Sequence, residues 1–183
     1  NEISVTNTSF ESCSSLSSAG GAIYIDYGGD ISVSNASFES CSAQNEAGAV
    51  YINDGGDISV TNASFSSCSA FENGGAIFIG ESSDILVANT SFESCIAGEG
   101  GGAMYFGSSG DISVASAFFK SCSAQNGAGA VHISNGGNIS VTNVSFEPCS
   151  ANDYEGLVHL SNCGNNQHTD TSFKFCSQGH EGA

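Results

Sequence analysis

The chain has 183 residues, and its 19 Asp and Glu outweigh 2 Lys and Arg for a formal net charge of −17. That balance argues against electrostatic binding to nucleic acid or to anionic lipid. No apolar run is long enough to span a membrane, so this region is not expected to insert in one.

The pattern Phe-x-x-Cys recurs along the whole chain, at Phe10/Cys13, Phe38/Cys41, Phe65/Cys68, Phe92/Cys95, Phe119/Cys122, Phe146/Cys149 and Phe173/Cys176. The first step is 28 residues and each later step is 27. A fixed period of this size, rich in Gly and β-formers, predicts a solenoid. The units run 1–29, 30–56, 57–83, 84–110, 111–137, 138–164 and 165–183, with no linker between them, so one domain is expected. The last unit stops where its Gly-Gly-Ala segment should stand, and no leader peptide is recognisable. The chain therefore reads as a mature form or a piece of a longer array.

Within a unit the first predicted strand alternates apolar and polar residues, as in Ile31-Ser32-Val33-Ser34. Alternation with period two means one buried face. A short strand is predicted through Cys41 to Ala43, and a further clear strand over Val50-Tyr51-Ile52. Gly-Gly pairs such as Gly28-Gly29, Gly55-Gly56 and Gly136-Gly137 mark turns. No segment has helical periodicity. Stacking one unit on the next places like on like about 4.8 Å apart. The predicted inward columns are Ile3/Ile31/Ile58/Ile85/Ile112/Ile139, the Phe column, the Cys column, and the paired positions of the last strand such as Val50/Ile52 and Ile77/Ile79. The fold class is all-β, a parallel β-solenoid of 27-residue coils.

Four columns carry polar or aromatic chemistry. Cys13, Cys41, Cys68, Cys95, Cys122, Cys149 and Cys176 form one, read either as buried thiols acting as small apolar residues or as a source of disulfides. Cys163 stands apart and could pair with Cys149 or Cys176. Asn-x-Ser occurs at Asn7, Asn35, Asn62, Asn89 and Asn143, just before the Phe, and again at Asn138. These Asn are read as an inward or turn-facing amide ladder, since Ile31, Val33 and Asn35 share parity, or as acceptors of N-glycans. Asp30, Asp57, Asp84 and Asp111, continued by Asn138, form an acidic column. It could splay into water, cap turn amides or share a cation such as calcium. Tyr24, Tyr51, Phe78, Tyr105, His132 and His159 form an outward aromatic column, read as cross-strand stacking or as a contact strip for sugars or a neighbouring solenoid.

Catalysis draws little from the sequence. The acids are repeated rather than paired at a unique spot, Lys120 and Lys174 are the only cations besides His, and His168 and His180 have no evident partner. No cofactor is expected, apart from calcium under the cation-sharing reading of the Asp column.

Gly-Gly-Ala-Ile stands at Gly20–Ile23 and Gly74–Ile77, with near matches at Ala47–Val50, Gly101–Met104 and Ala128–Val131. Together with the Phe-x-x motif this resembles the polymorphic outer-membrane protein repeats of chlamydial adhesins and protist surface proteins, with Cys where that family has Asn. The resemblance covers the whole chain. It implies a right-handed parallel β-helix, placed outside the cell or on its surface, acting as a non-enzymatic adhesin or a structural rod or filament component. The partners it implies are other copies of itself or other surface proteins. A glycan-binding module using the aromatic column is the alternative.

Overall fold

The computed structural model describes residues 2–152 and 156–174, and the backbone of 177–178. The described residues form four parallel sheets that run the length of the stack, three of seven strands and one of six, with no helix. Each sheet takes one strand from each successive coil. In the second coil these are Ile31–Ser34, Ser37–Glu39, Ser42–Ala43 and Val50–Asn53. Every coil pairs in register with the next: Ile31 faces Ile58, Phe38 faces Phe65, Ala43 faces Ala70 and Val50 faces Ile77. The predicted β-solenoid of 27-residue coils is therefore the fold.

The coil has one more strand than the sequence pattern predicts. The Phe lies in its own three-residue strand, bounded by residues in the left-handed region, Asn35 at φ 51° and Ser40 at φ 55°. These bends turn the chain sharply without interrupting the hydrogen bonding. The Asn35 amide donates to the Thr61 carbonyl at 3.1 Å, and the Ser40 amide to the Ser66 carbonyl at 2.9 Å. Pro148 replaces the Ser of this second bend in the sixth coil. Its ring locks φ near −65° and removes the N–H that the other coils donate there.

The core is a set of columns. Phe38, Phe65, Phe92, Phe119 and Phe146 are buried, as are Cys41, Cys68, Cys95, Cys122 and Cys149. Ile and Val, with Met104 and Phe106, fill the remaining large inward positions, and buried Ala lie among them. Burying each Phe is worth about 2–3 kcal/mol. The Phe rings are nearly parallel, with the Phe38 and Phe65 centroids 4.7 Å apart and 1° between their planes.

The second residue of the Gly-Gly-Ala segment is a steric requirement. The segment's first residue is left-handed, at φ 66° in Gly20, 68° in Gly74 and 67° in Gly101. At the second residue, a Cβ on Gly48 would overlap the Gly75 carbonyl oxygen and the backbone of Ser69. The same holds for Gly21, Gly75 and Gly102, each against the coil that follows. There the chain crosses directly over the short third strand of its neighbour, and no side chain fits between them.

Candidate functional site: the outward ladders

The aromatic column forms a continuous stack on the outer face of the fourth sheet. Tyr24 and Tyr51 lie 4.8 Å apart with 4° between their planes, and Phe78 and Tyr105 5.2 Å apart with 1°. Tyr105 stacks on His132 at 4.8 Å, and His132 meets His159 at 4.8 Å with a 35° tilt. Tyr24 is 52% exposed while Tyr51, Phe78, Tyr105, His132 and His159 are half-buried. The stacking covers most ring faces with neighbouring rings. What the strip offers to solvent is ring edges and phenol oxygens, one of which, Tyr105 Oη, lies 3.5 Å from Ser134 Oγ.

Acidic groups that the repeat does not reveal flank the first half of this strip. Burial raises the Tyr51 phenol, and Glu46, Tyr24 and Asp26 push it further in the same direction. Glu72 is also raised, by partial burial, then by the charge of Glu46 and a hydrogen bond between the two carboxyls. Glu46 and Glu72 lie in the loop between the third and fourth strands, where the coils differ most in sequence. That variability hides them from any reading based on period.

The Asp column caps amides. Asp30 Oδ1 accepts the Asp57 backbone N–H at 3.1 Å, Asp57 Oδ1 that of Asp84 at 3.3 Å, and Asp84 Oδ1 that of Asp111 at 2.8 Å. Asp111 Oδ1 accepts the Asn138 amide at 2.8 Å, and Asn138 Oδ1 that of Asn165 at 3.1 Å. Each side chain thus satisfies a donor at the turn one coil further on, where the backbone offers no acceptor. This is one of the three arrangements the sequence leaves open. The column edges a long open groove of about 790 Å³ that also passes Ser32, Ser59, Ser113 and Ser140, with Leu86 interrupting it. Among the described residues no group of three or more His, Cys, Asp or Glu side chains converges to hold a metal ion.

The sequon residues Asn7, Asn35, Asn62, Asn89 and Asn143 do not face inward. All five stand exposed at one corner with φ between 50° and 54°, and Ser116 and Asp170 take the same conformation in their coils. Parity carries no information across a left-handed residue, because the bend reverses the alternation. The corner suits Asn because its short polar side chain tolerates this region. Among the described residues no hydrogen bond joins one of these Asn amides to the next; Asn143 Nδ2 instead donates to Ser116 Oγ at 3.2 Å. Asn138 belongs to the Asp column.

The described cysteines are free thiols, so the disulfide alternative is not realised among them; Cys176 and His180 lie outside the described residues. Cys68 Sγ donates to the Ser66 carbonyl at 3.6 Å and lies 3.8 Å from the Phe38 carbonyl, and Cys95 repeats the pattern. Cys149 stands between the second and third sheets and Cys163 between the fourth and first, so the two occupy different corners. Cys163 occupies the position of Gly136, where a Cβ would press on the Ile139 side chain. Asn166 replaces that Ile in the seventh coil, which frees the space.

Neighbouring thiols influence one another along the Cys column. Cys68 and burial hold the Cys41 thiol well above its usual range; Cys122, Cys68 and burial do the same for Cys95. Cys68 and Cys122 are pulled down by the thiols on either side while burial opposes it. Among the described residues Thr90 is the sole buried polar one and no cation is buried, so burial prevails and the described thiols of the column are neutral.

No family model, no curated protein and no solved structure matches this chain.

Proposed function

We propose that this chain is a non-enzymatic extracellular or cell-surface repeat protein, serving as a rod-like scaffold or adhesin. The observation that carries the reading is the uniformity of the outer surface. Each chemical feature recurs once per coil, as columns of Asp, Asn, Ser and aromatic side chains along one axis. Such a surface offers many equivalent weak contacts, which suits multivalent attachment to other copies, to other surface proteins or to glycans. The strongly acidic balance keeps such rods apart in solution.

Glycan binding by the Tyr24–His159 strip draws less support. Sugars pack on ring faces, and this stack spends its faces on itself.

Beads coated with the folded chain, tested against cells in flow, check the attachment reading. Retention that scales with coating density is expected. Retention no greater than that of beads coated with heat-unfolded chain would count against it, as would hydrolysis or elimination on a panel of acidic polysaccharides.

A further inference from the structure

We propose that the Asn corner is N-glycosylated, and that the coil spacing limits the glycans to alternate rungs. This rests on the extracellular reading, because N-glycans are added along the secretory route. In that transfer Asn Nδ2 bonds to the anomeric carbon of a lipid-linked sugar donor. The carbon–oxygen bond to the lipid diphosphate breaks, the diphosphate leaves with its electron pair, and Nδ2 releases one of its two protons.

The corner accommodates the product. In Asn7-Thr8-Ser9, Asn35-Ala36-Ser37, Asn62-Ala63-Ser64, Asn89-Thr90-Ser91 and Asn143-Val144-Ser145 the Asn is exposed, while the middle residue is buried in every case but half-buried Thr8. The Ser lies on the outer face of the second sheet, where Ser37 Oγ donates to Ser9 Oγ at 2.9 Å. A sugar on any of these Asn leaves the core untouched. Asn143 spends one N–H on Ser116 Oγ, and a glycan leaves it that one.

Asn138 differs although its sequence also reads Asn-x-Ser. Its Nδ2 lies 3.1 and 3.3 Å from the two Asp111 carboxylate oxygens, and its Oδ1 accepts the Asn165 amide. A glycan there would disturb the capping column, so Asn138 stays bare.

The spacing sets the pattern. Neighbouring rungs of a parallel sheet are about 4.8 Å apart, and an N-acetylated sugar ring is broader than that. Asn7, Asn35, Asn62 and Asn89 occupy consecutive rungs, so adjacent members compete for room. Asn143 has Ser116 on one side and Asp170 on the other, neither of them an acceptor. It is the position with open space on both flanks.

The test is the full chain secreted from eukaryotic cells, released with peptide-N-glycosidase in heavy-oxygen water and mapped by mass spectrometry, with intact mass giving glycans per molecule. Asn143 is expected to be occupied, Asn138 bare, and no molecule to carry glycans on both Asn35 and Asn62. Installing an acceptor beside Asn143 with Ser116→Asn plus Phe118→Ser should lower Asn143 occupancy about twofold, the two sites sharing the room of one. Ser145→Ala should remove the Asn143 glycan while leaving its corner intact. A secreted chain with Asn143 unmodified overturns the glycan inference and leaves the extracellular reading standing. Joint occupancy of Asn35 and Asn62 overturns the alternation. A folded chain retained in the cytosol of its own source cells overturns the extracellular reading and the glycan inference with it.

Discussion

Asp84 Oδ1 accepts the backbone N–H of Asp111 at 2.8 Å, one coil further along the stack. The contact explains why an acidic column persists despite like charges at each rung: the side chain supplies an acceptor that the turn lacks. Asp84→Ala should therefore lower stability by about 1 kcal/mol, the worth of one such bond. Asp84→Asn keeps an acceptor and removes a repulsion, so it should stay within about 0.5 kcal/mol of the parent. Urea unfolding followed by circular dichroism separates the two. Equal losses for Ala and Asn would show that charge, rather than capping, is what the column contributes.

Much of this architecture could be read from the sequence for a physical reason. A parallel stack forces identical side chains into vertical columns, so Ile31/Ile58, Phe38/Phe65 and Cys41/Cys68 announce themselves by period alone. What period cannot convey is the path within a coil. The strand Ser37–Glu39 is only three residues long, and the left-handed residues Asn35 and Ser40 hide it by breaking the alternation. The same break misdirects the parity argument that turns Asn35 inward. The role of the Asp column had a usable signal, since Asn138 preserves the acceptor and discards the charge. Glu46 beside Tyr51, and Glu72 beside Glu46, had none, because they lie in the segment that varies most from coil to coil.

Two glycines should respond oppositely to the same change. A Cβ on Gly75 would overlap the Gly102 carbonyl oxygen and crowd the Ile96 backbone. The neighbouring coil must then separate, and Gly75→Ala should cost about 3 kcal/mol or more. A Cβ on Gly107 would meet nothing closer than 3.5 Å, and its φ is not left-handed. Gly107→Ala should be neutral or stabilising by up to about 1 kcal/mol, through a less flexible unfolded chain. Denaturation midpoints of the two variants against the parent decide this; a tolerated Gly75→Ala would mean that the crossing is looser than described.

The buried thiols make the stack sensitive to alkali. Neighbouring thiols and burial raise Cys41 and Cys95, so above the unfolded thiol pKa the native state holds protons that the unfolded chain releases. Stability from this source is fully present below about pH 8.5 and falls as pH rises, by up to about 1.4 kcal/mol per pH unit for each thiol held. The urea midpoint should be level from about pH 7 to 8.5 and then decline. The double variant Cys41→Ala with Cys95→Ala should decline less steeply, even though it starts lower. A midpoint that holds constant to about pH 10 would rule out a neutral, proton-retaining column.

Phe92 tests whether cooperativity passes through the Phe column. Its ring stacks between Phe65 at 5.0 Å and Phe119 at 4.9 Å, and it is fully buried. Phe92→Ala should cost about 3–5 kcal/mol, from lost burial and the void left behind. Because each coil touches only its neighbours, that cost falls on the fourth coil and its two interfaces. The coils on either side then lose their shared partner and should unfold in separate steps. A single sharp urea transition is expected for the parent and a broadened or two-step one for Phe92→Ala. Phe92→Leu keeps most of the volume and should retain one transition with a smaller shift. If Phe92→Ala lowers the midpoint while the transition stays as sharp as the parent's, cooperativity does not pass through the Phe column, and the backbone ladders alone couple the coils.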